Sequence, residues 1–123
     1  MSIKVSIMEE LSRALALIGP KWTLLIIQVL LQGPRRFTEI ERALEDANPK
    51  MVSARLRELV EAGLVSRTYY AEVPPRVEYA LTERGRALEP AIEALRRWGA
   101  RAAKLRATER SAADHEIRRA RRS

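Results

Sequence analysis

The stretch Trp22 to Leu31 constrains this chain more than any other. It is apolar nearly all round a helix (Trp22, Leu24, Leu25, Ile26, Ile27, Val29, Leu30, Leu31), broken by Gln28, and bracketed by Gly19-Pro20 and Gly33-Pro34. A helix with no polar face belongs at the centre of a core or between two subunits. It is far short of the ~20 residues needed to span a bilayer. The expected helix runs from about Lys21 to Gln32, with Pro20 at or near its first position. The opening residues Met1 to Glu10 carry Lys4, Glu9 and Glu10 and no long apolar region, so they do not read as a signal peptide. The expectation is a soluble cytoplasmic protein.

Other helices arrange themselves around this one. Leu11, Ala14, Leu15 and Ile18 recur at helical spacing over Glu9 to Ile18. A short helix is expected from about Thr38 to Leu44, with Thr38 as cap and Glu41 three residues on. Asn48-Pro49 is a strong start signal, and Gly63 stops the helix that it opens. Leu64 to Val73 and Arg76 to Leu81 read as two strands joined by Pro74-Pro75. Thr82 caps a last long helix to about Arg106, with a kink or break near Glu89 because Pro90 lies inside it. Helix, helix, short helix, capped helix, hairpin, long helix is the order of a winged helix-turn-helix. The fold class is therefore α+β, mostly α, with a two-stranded wing and extra N- and C-terminal helices.

Charge divides the chain. Net charge is +7, yet residues 1–95 hold 13 basic and 13 acidic side chains, and residues 96–123 hold 10 basic and 3 acidic. Residues 1–107 are expected to form the winged domain, and 108–123 a basic, flexible tail. A basic tail attracts any polyanion, so specificity has to come from the neutral part.

The helix after Asn48 carries that specificity. At about 100° per residue, Val52, Leu56 and Leu59 gather on one side, with Val60 at the edge. Lys50, Ser53, Ala54 and Arg57 lie opposite, flanked by Met51 and Arg55. Carboxylates enter only at Glu58 and Glu61. A recognition helix needs this asymmetry, because its early turns enter the major groove beside phosphates. The plainer alternative is a solvated helix face. The wing adds Arg67 and Arg76, which point to a minor groove or phosphates, or serve to keep a surface hairpin soluble. Arg35, Arg36 and Thr38, ahead of and within the short helix, complete the expected DNA-binding set, with a solvated loop as the alternative for the two arginines.

Other functions find less support. The chain has no cysteine and one histidine, His115, in the tail, so no metal site and no cofactor are expected. It has no glycine-rich phosphate loop and no nucleophile–base pair, so it does not read as an enzyme. A winged-helix protein-interaction module, with non-specific nucleic-acid binding through the tail, is the alternative function. Trp22, Tyr69, Tyr70, Tyr79 and Trp98 are either core and strand packing or the lining of a pocket for an unknown small-molecule effector.

The segments ALALIGPKWTLLIIQVLLQGPRRFTEIERAL and NPKMVSARLRELVEAGLVSRTYYAEVPPRVEYALTERGRAL, with the later EALRRWG, resemble the HxlR-type regulators, relatives of the MarR class. The resemblance covers about Leu11 to Gly99. It implies a homodimeric, DNA-binding transcription regulator of bacteria or archaea, read here as a repressor on a pseudo-palindromic operator. It also implies a dimer interface on the first and last helices, carried here by Leu11, Leu15, Ile18, Ile92, Leu95 and Trp98; the last three are spaced as one stripe, for which packing within one subunit is the alternative. Two departures stand out. Many such proteins sense oxidants through a cysteine before the first helix, where this chain reads Val5-Ser6-Ile7-Met8, so direct thiol sensing is excluded. Ala54 stands where a glutamine is frequent, so the bases read should differ.

Overall fold

The computed structural model describes residues 3–122, with side chains from residue 6 onward. Met1, Ser2 and Ser123, which lie at the ends of the two expected domains, fall outside the described residues. The elements are α1 (Ile3–Ile18), α2 (Thr23–Leu31), α3 (Phe37–Ala43), α4 (Pro49–Glu61), β1 (Val65–Tyr70), β2 (Arg76–Leu81), α5 (Glu83–Arg86) and α6 (Glu89–Arg122). They fall into two compact units, Met1–Glu89 and Pro90–Ser123. The first is a winged helix-turn-helix.

The core of the first unit forms around α2. Ile26, Ile27 and Leu30 are fully buried, and α2 packs against α3, α4 and β2. Ile40 and Leu44 close one side, and Val52, Leu56 and Leu59 of α4 close another. Leu64, Val65 and Leu81 seat the hairpin on this core. The start of α2 differs from expectation. Pro20 precedes the helix, and Trp22 takes a left-handed backbone, φ 79°, before Thr23 opens it. Bulky residues rarely adopt that conformation; the turn is closed by Thr23 N–H, which donates to the Pro20 carbonyl at 3.2 Å. Leu25 at 51% exposure shows that α2 is not buried on every side.

The hairpin pairs antiparallel from Val65↔Leu81 to Tyr70↔Arg76, so β1 stops three residues short of Val73. A third segment joins it: Arg35 N–H donates to the Tyr79 carbonyl at 2.9 Å, and Tyr79 N–H donates to the Arg35 carbonyl at 2.8 Å.

Two helix ends depart from expectation. The α3 cap is Arg36, whose backbone N–H donates to the Glu39 carboxylate at 3.0 Å; Thr38 sits within the first turn, and Glu41 has no capping role. The 108–122 segment is helical, because α6 runs unbroken to Arg122. Its polarity suggested disorder, but alanine, arginine and glutamate are strong helix formers, and neither glycine nor proline follows Gly99. At 1.5 Å per residue, its 34 residues span roughly 50 Å. The break expected near Glu89 lies at Ala87–Leu88, which leaves Pro90 in the first turn of α6, where its missing N–H costs nothing.

Candidate nucleic-acid interface

The interface starts at a cap. Asn48 has extended backbone, and its side-chain oxygen accepts from Lys50 N–H at 2.9 Å; Pro49 follows at the first helical position. These choices fix where α4 begins and therefore which residues lead it. No acidic residue lies in its first turn. Val52, Leu56 and Leu59 are buried. Lys50, Met51, Ser53 and Arg57 are exposed, and Ala54 is half-buried. At its far end Gly63 takes φ +76°, which ends α4 and turns the chain into β1.

The hairpin stands beside this exposed flank. Ser53, Arg57 and Val60 of α4 and Arg67 and Tyr79 of the wing line one open groove of about 310 Å³. Arg67 and Tyr79 are direct partners across the ladder. No ion pair engages Lys50, Arg57 or Arg67 among the described residues. Each guanidinium therefore keeps its donors available to an outside acceptor.

Other expected DNA-binding residues are less available. Arg76 is strapped to the wing itself: it pairs with Glu72 at 3.0 Å and Glu78 at 3.1 Å, and lies 4.1 Å from the Tyr70 ring centre. It stiffens the turn rather than offering a free cation to a minor groove. Arg55 is turned along its own helix to Glu58 at 2.9 Å, with its side chain 20% exposed. Arg35 is half-buried and donates to the Pro34 carbonyl at 2.8 Å. Arg36 and Thr38 are exposed at the start of α3.

Sequence reasoning assigned Tyr79 no place among the DNA-binding residues. The strand alternation that puts it opposite Arg67 was the signal for one. The expected aromatic residues have separate surroundings: the Lys21 ammonium lies 5.3 Å from the Trp22 ring, Tyr70 lies beside Arg76, and Tyr69 and Trp98 are exposed.

On the expected dimer faces, Leu11 and Leu15 are more than half exposed, as is Trp98, and Leu95 is 50% exposed. Ile18 is half-buried, and Ile92 is buried within the chain, so Ile92 is a packing residue and not part of an outward stripe. The sequence spacing placed it with Leu95 and Trp98, but periodicity alone does not say which member of a stripe is already covered.

No described helix is by itself long and apolar enough to cross a membrane. No cluster of potential metal ligands occurs among the described residues.

Comparison with known proteins places this arrangement. A regulator of the helix-turn-helix type from Methanothermobacter thermautotrophicus is 46% identical over 82 residues, 67% of this chain and 63% of its own length. YkvN of Bacillus subtilis, named as a regulator of the same type, is 45% identical over 82 residues, 67% of this chain and 70% of its own length. The chain thus spans just under two thirds of the first relative. Among solved structures, the regulator YtcD superposes with a TM-score of 0.74 at 36% identity, covering 85% of this chain and 99% of that one. HypR, a redox regulator in its oxidised form, superposes with a TM-score of 0.71 at 38% identity, over 74% and 94% of the two chains. The profile of the HxlR-like helix-turn-helix proteins matches residues 17–107, and the chain belongs to that family.

Proposed function

We propose that this protein is a sequence-specific, DNA-binding transcription regulator that acts as a homodimer on a pseudo-palindromic operator. The observation that carries the reading is the flank of α4. Lys50, Ser53 and Arg57 are exposed on a helix whose first turn has no acidic residue, and Arg67 of the wing shares a groove with Arg57. In this reading the early turns of α4 enter the major groove, where Lys50 and Ser53 meet base edges, and the wing lies along the backbone. The names borne by the relatives support the same role. Such a partner puts the site of action in the cytoplasm.

The dimer rests on exposed apolar surface. Ile7, Met8, Leu11 and Leu15 recur along one stripe of α1 at 48–59% exposure, and α6 exposes Leu95 and Trp98. Large apolar side chains left in water in this number mark an interface. Two copies would present two α4 helices to half-sites about one helical turn, ~34 Å, apart. The effect on transcription is read as repression, through occupancy of a promoter.

Selection of bound duplexes from a random pool tests the reading. The expected outcome is an inverted repeat, bound by a species of twice the chain mass in light scattering. A Lys50→Ala/Arg57→Ala variant keeps its helical circular dichroism and loses binding. A reporter placed behind the selected site is expressed less when the protein is present. Enrichment of no sequence, with binding that disappears on removal of residues 108–123, would favour the interaction module with a non-specific basic segment instead.

A further inference from the structure

We infer that the groove between α4 and the wing is a binding site for one phosphate-class oxyanion, held jointly by Arg57 and Arg67. The groove is about 310 Å³, and its walls come from two different elements. Ser53, Arg57 and Val60 follow one another at helical spacing on α4, and Arg67 and Tyr79 face each other across the hairpin. Its lining residues thus include two arginines, a serine and a tyrosine, and no acidic residue. Of the two acidic residues on α4, Glu58 is engaged by Arg55, and Glu61, one turn on from Arg57, pairs with no cation among the described residues and is not among those lining the groove. Neither Arg57 nor Arg67 forms an ion pair among the described residues.

Two unpaired cations lining one groove repel each other, and a shared anion removes that penalty. The ligand class follows from the donors. Each guanidinium presents a planar fork that suits a phosphate or carboxylate in bidentate fashion. Two such forks, one from α4 and one from the wing, suit a tetrahedral group with several oxygens. A flat base edge uses only one fork. The anion has two sources: a phosphodiester of the DNA backbone or a free phosphate. The backbone case rests on the proposed function above, and there the groove fixes the position of the protein on the duplex without reading sequence.

Two measurements test this. In the first, inorganic phosphate is titrated into ¹⁵N-labelled full-length protein at constant ionic strength, with chloride as the balancing salt. Amide resonances of Ser53, Arg57, Arg67 and Tyr79 should shift together and saturate, and Arg67→Gln should abolish the saturation. In the second, the salt dependence of affinity is measured on a duplex selected from the random pool. One phosphate contact contributes a slope of about −0.9 in log K against log salt. Arg57→Ala and Arg67→Ala should each reduce the slope by up to that amount per protomer. The double variant should reduce it no further, and the sequence preference of Arg67→Ala should equal that of the wild type.

Saturation with phosphate supports the site and makes a free anion one of its ligands. A shared slope without saturation supports the site and assigns it to the DNA backbone. Unsaturated shifts together with slopes that add in the double variant overturn the inference, because two separate contacts would then exist. Should the wild type bind no duplex at all, the proposed function fails, and the phosphate titration alone decides the groove. Both arginines lie outside the buried core, so the variants are expected to fold.

Discussion

Replacing Asn48 separates the stability of α4 from its exposure to DNA. The Asn48 side-chain oxygen accepts from Lys50 N–H at 2.9 Å and satisfies one of the unpaired donors at the helix start. Asn48→Ala removes the acceptor, which costs about 1 kcal/mol. For a chain of this size that lowers Tm by roughly 3–5 °C. Asn48→Asp keeps an acceptor and adds a negative charge where the helix dipole favours one by about 0.3–1 kcal/mol, so its Tm should match or exceed the wild type. Its DNA affinity should fall for the same reason: a new carboxylate ~7 Å from a phosphate costs about 0.6 kcal/mol in water, or about threefold. Thermal melts by circular dichroism and fluorescence anisotropy on the selected duplex measure the two effects. A melt of Asn48→Asp as low as that of Asn48→Ala would refute the capping argument. Binding by Asn48→Asp as tight as wild type would refute the placement of this helix end against phosphates.

Four further outcomes follow from local geometry. A Cβ at Gly85 would run into the Leu64 carbonyl and stand 3.0 Å from Leu81 Cδ2, so Gly85→Ala should lose about 1–3 kcal/mol in a denaturant melt. Gly99 has open space around it within α6, so Gly99→Ala should gain about 0.5–1 kcal/mol; equal effects at the two sites would sink the argument. Thr23 is 1% exposed with no partner for Oγ1 among the described residues, so Thr23→Val should raise stability by about 1 kcal/mol, and a fall would show that the hydroxyl is satisfied. The Arg96 side chain donates to Glu93, with Arg97 assisting, and holds the Glu93 carboxyl at about 2 instead of 4.5. Because the folded value is depressed, this pairing contributes fully above pH 4.5 and is lost as pH falls through about 2. Carboxyl ¹³C titration of the intact chain reads it directly, and a midpoint near 4.5 would contradict it.

What could be read ahead of the structure was local. Asn48-Pro49 and Gly63 delimit α4 because cap chemistry acts within one turn, and Val52, Leu56 and Leu59 declare its buried side through spacing alone. The wing was legible from two β-rich runs around Pro74-Pro75. Features set by contact were not. The left-handed backbone at Trp22 leaves no mark in the apolar pattern, so the helix began later than that pattern implied. The α3 cap moved from Thr38 to Arg36 because Glu39 reaches back to the Arg36 amide. Arg76 looked free until the turn brought Glu72, Glu78 and Tyr70 around it. For residues 108–122, composition suggested a disordered tail while propensity favoured a helix, and propensity prevailed.

The pair of hydrogen bonds between Arg35 and Tyr79 has a consequence for solubility. A two-stranded ribbon leaves a row of open amides and carbonyls on each side, and another chain can zip onto such a border. At Tyr79 that border is already occupied by the segment leading into α3. A proline in place of Arg35 would withdraw one donor and leave that stretch of the ribbon open to another chain.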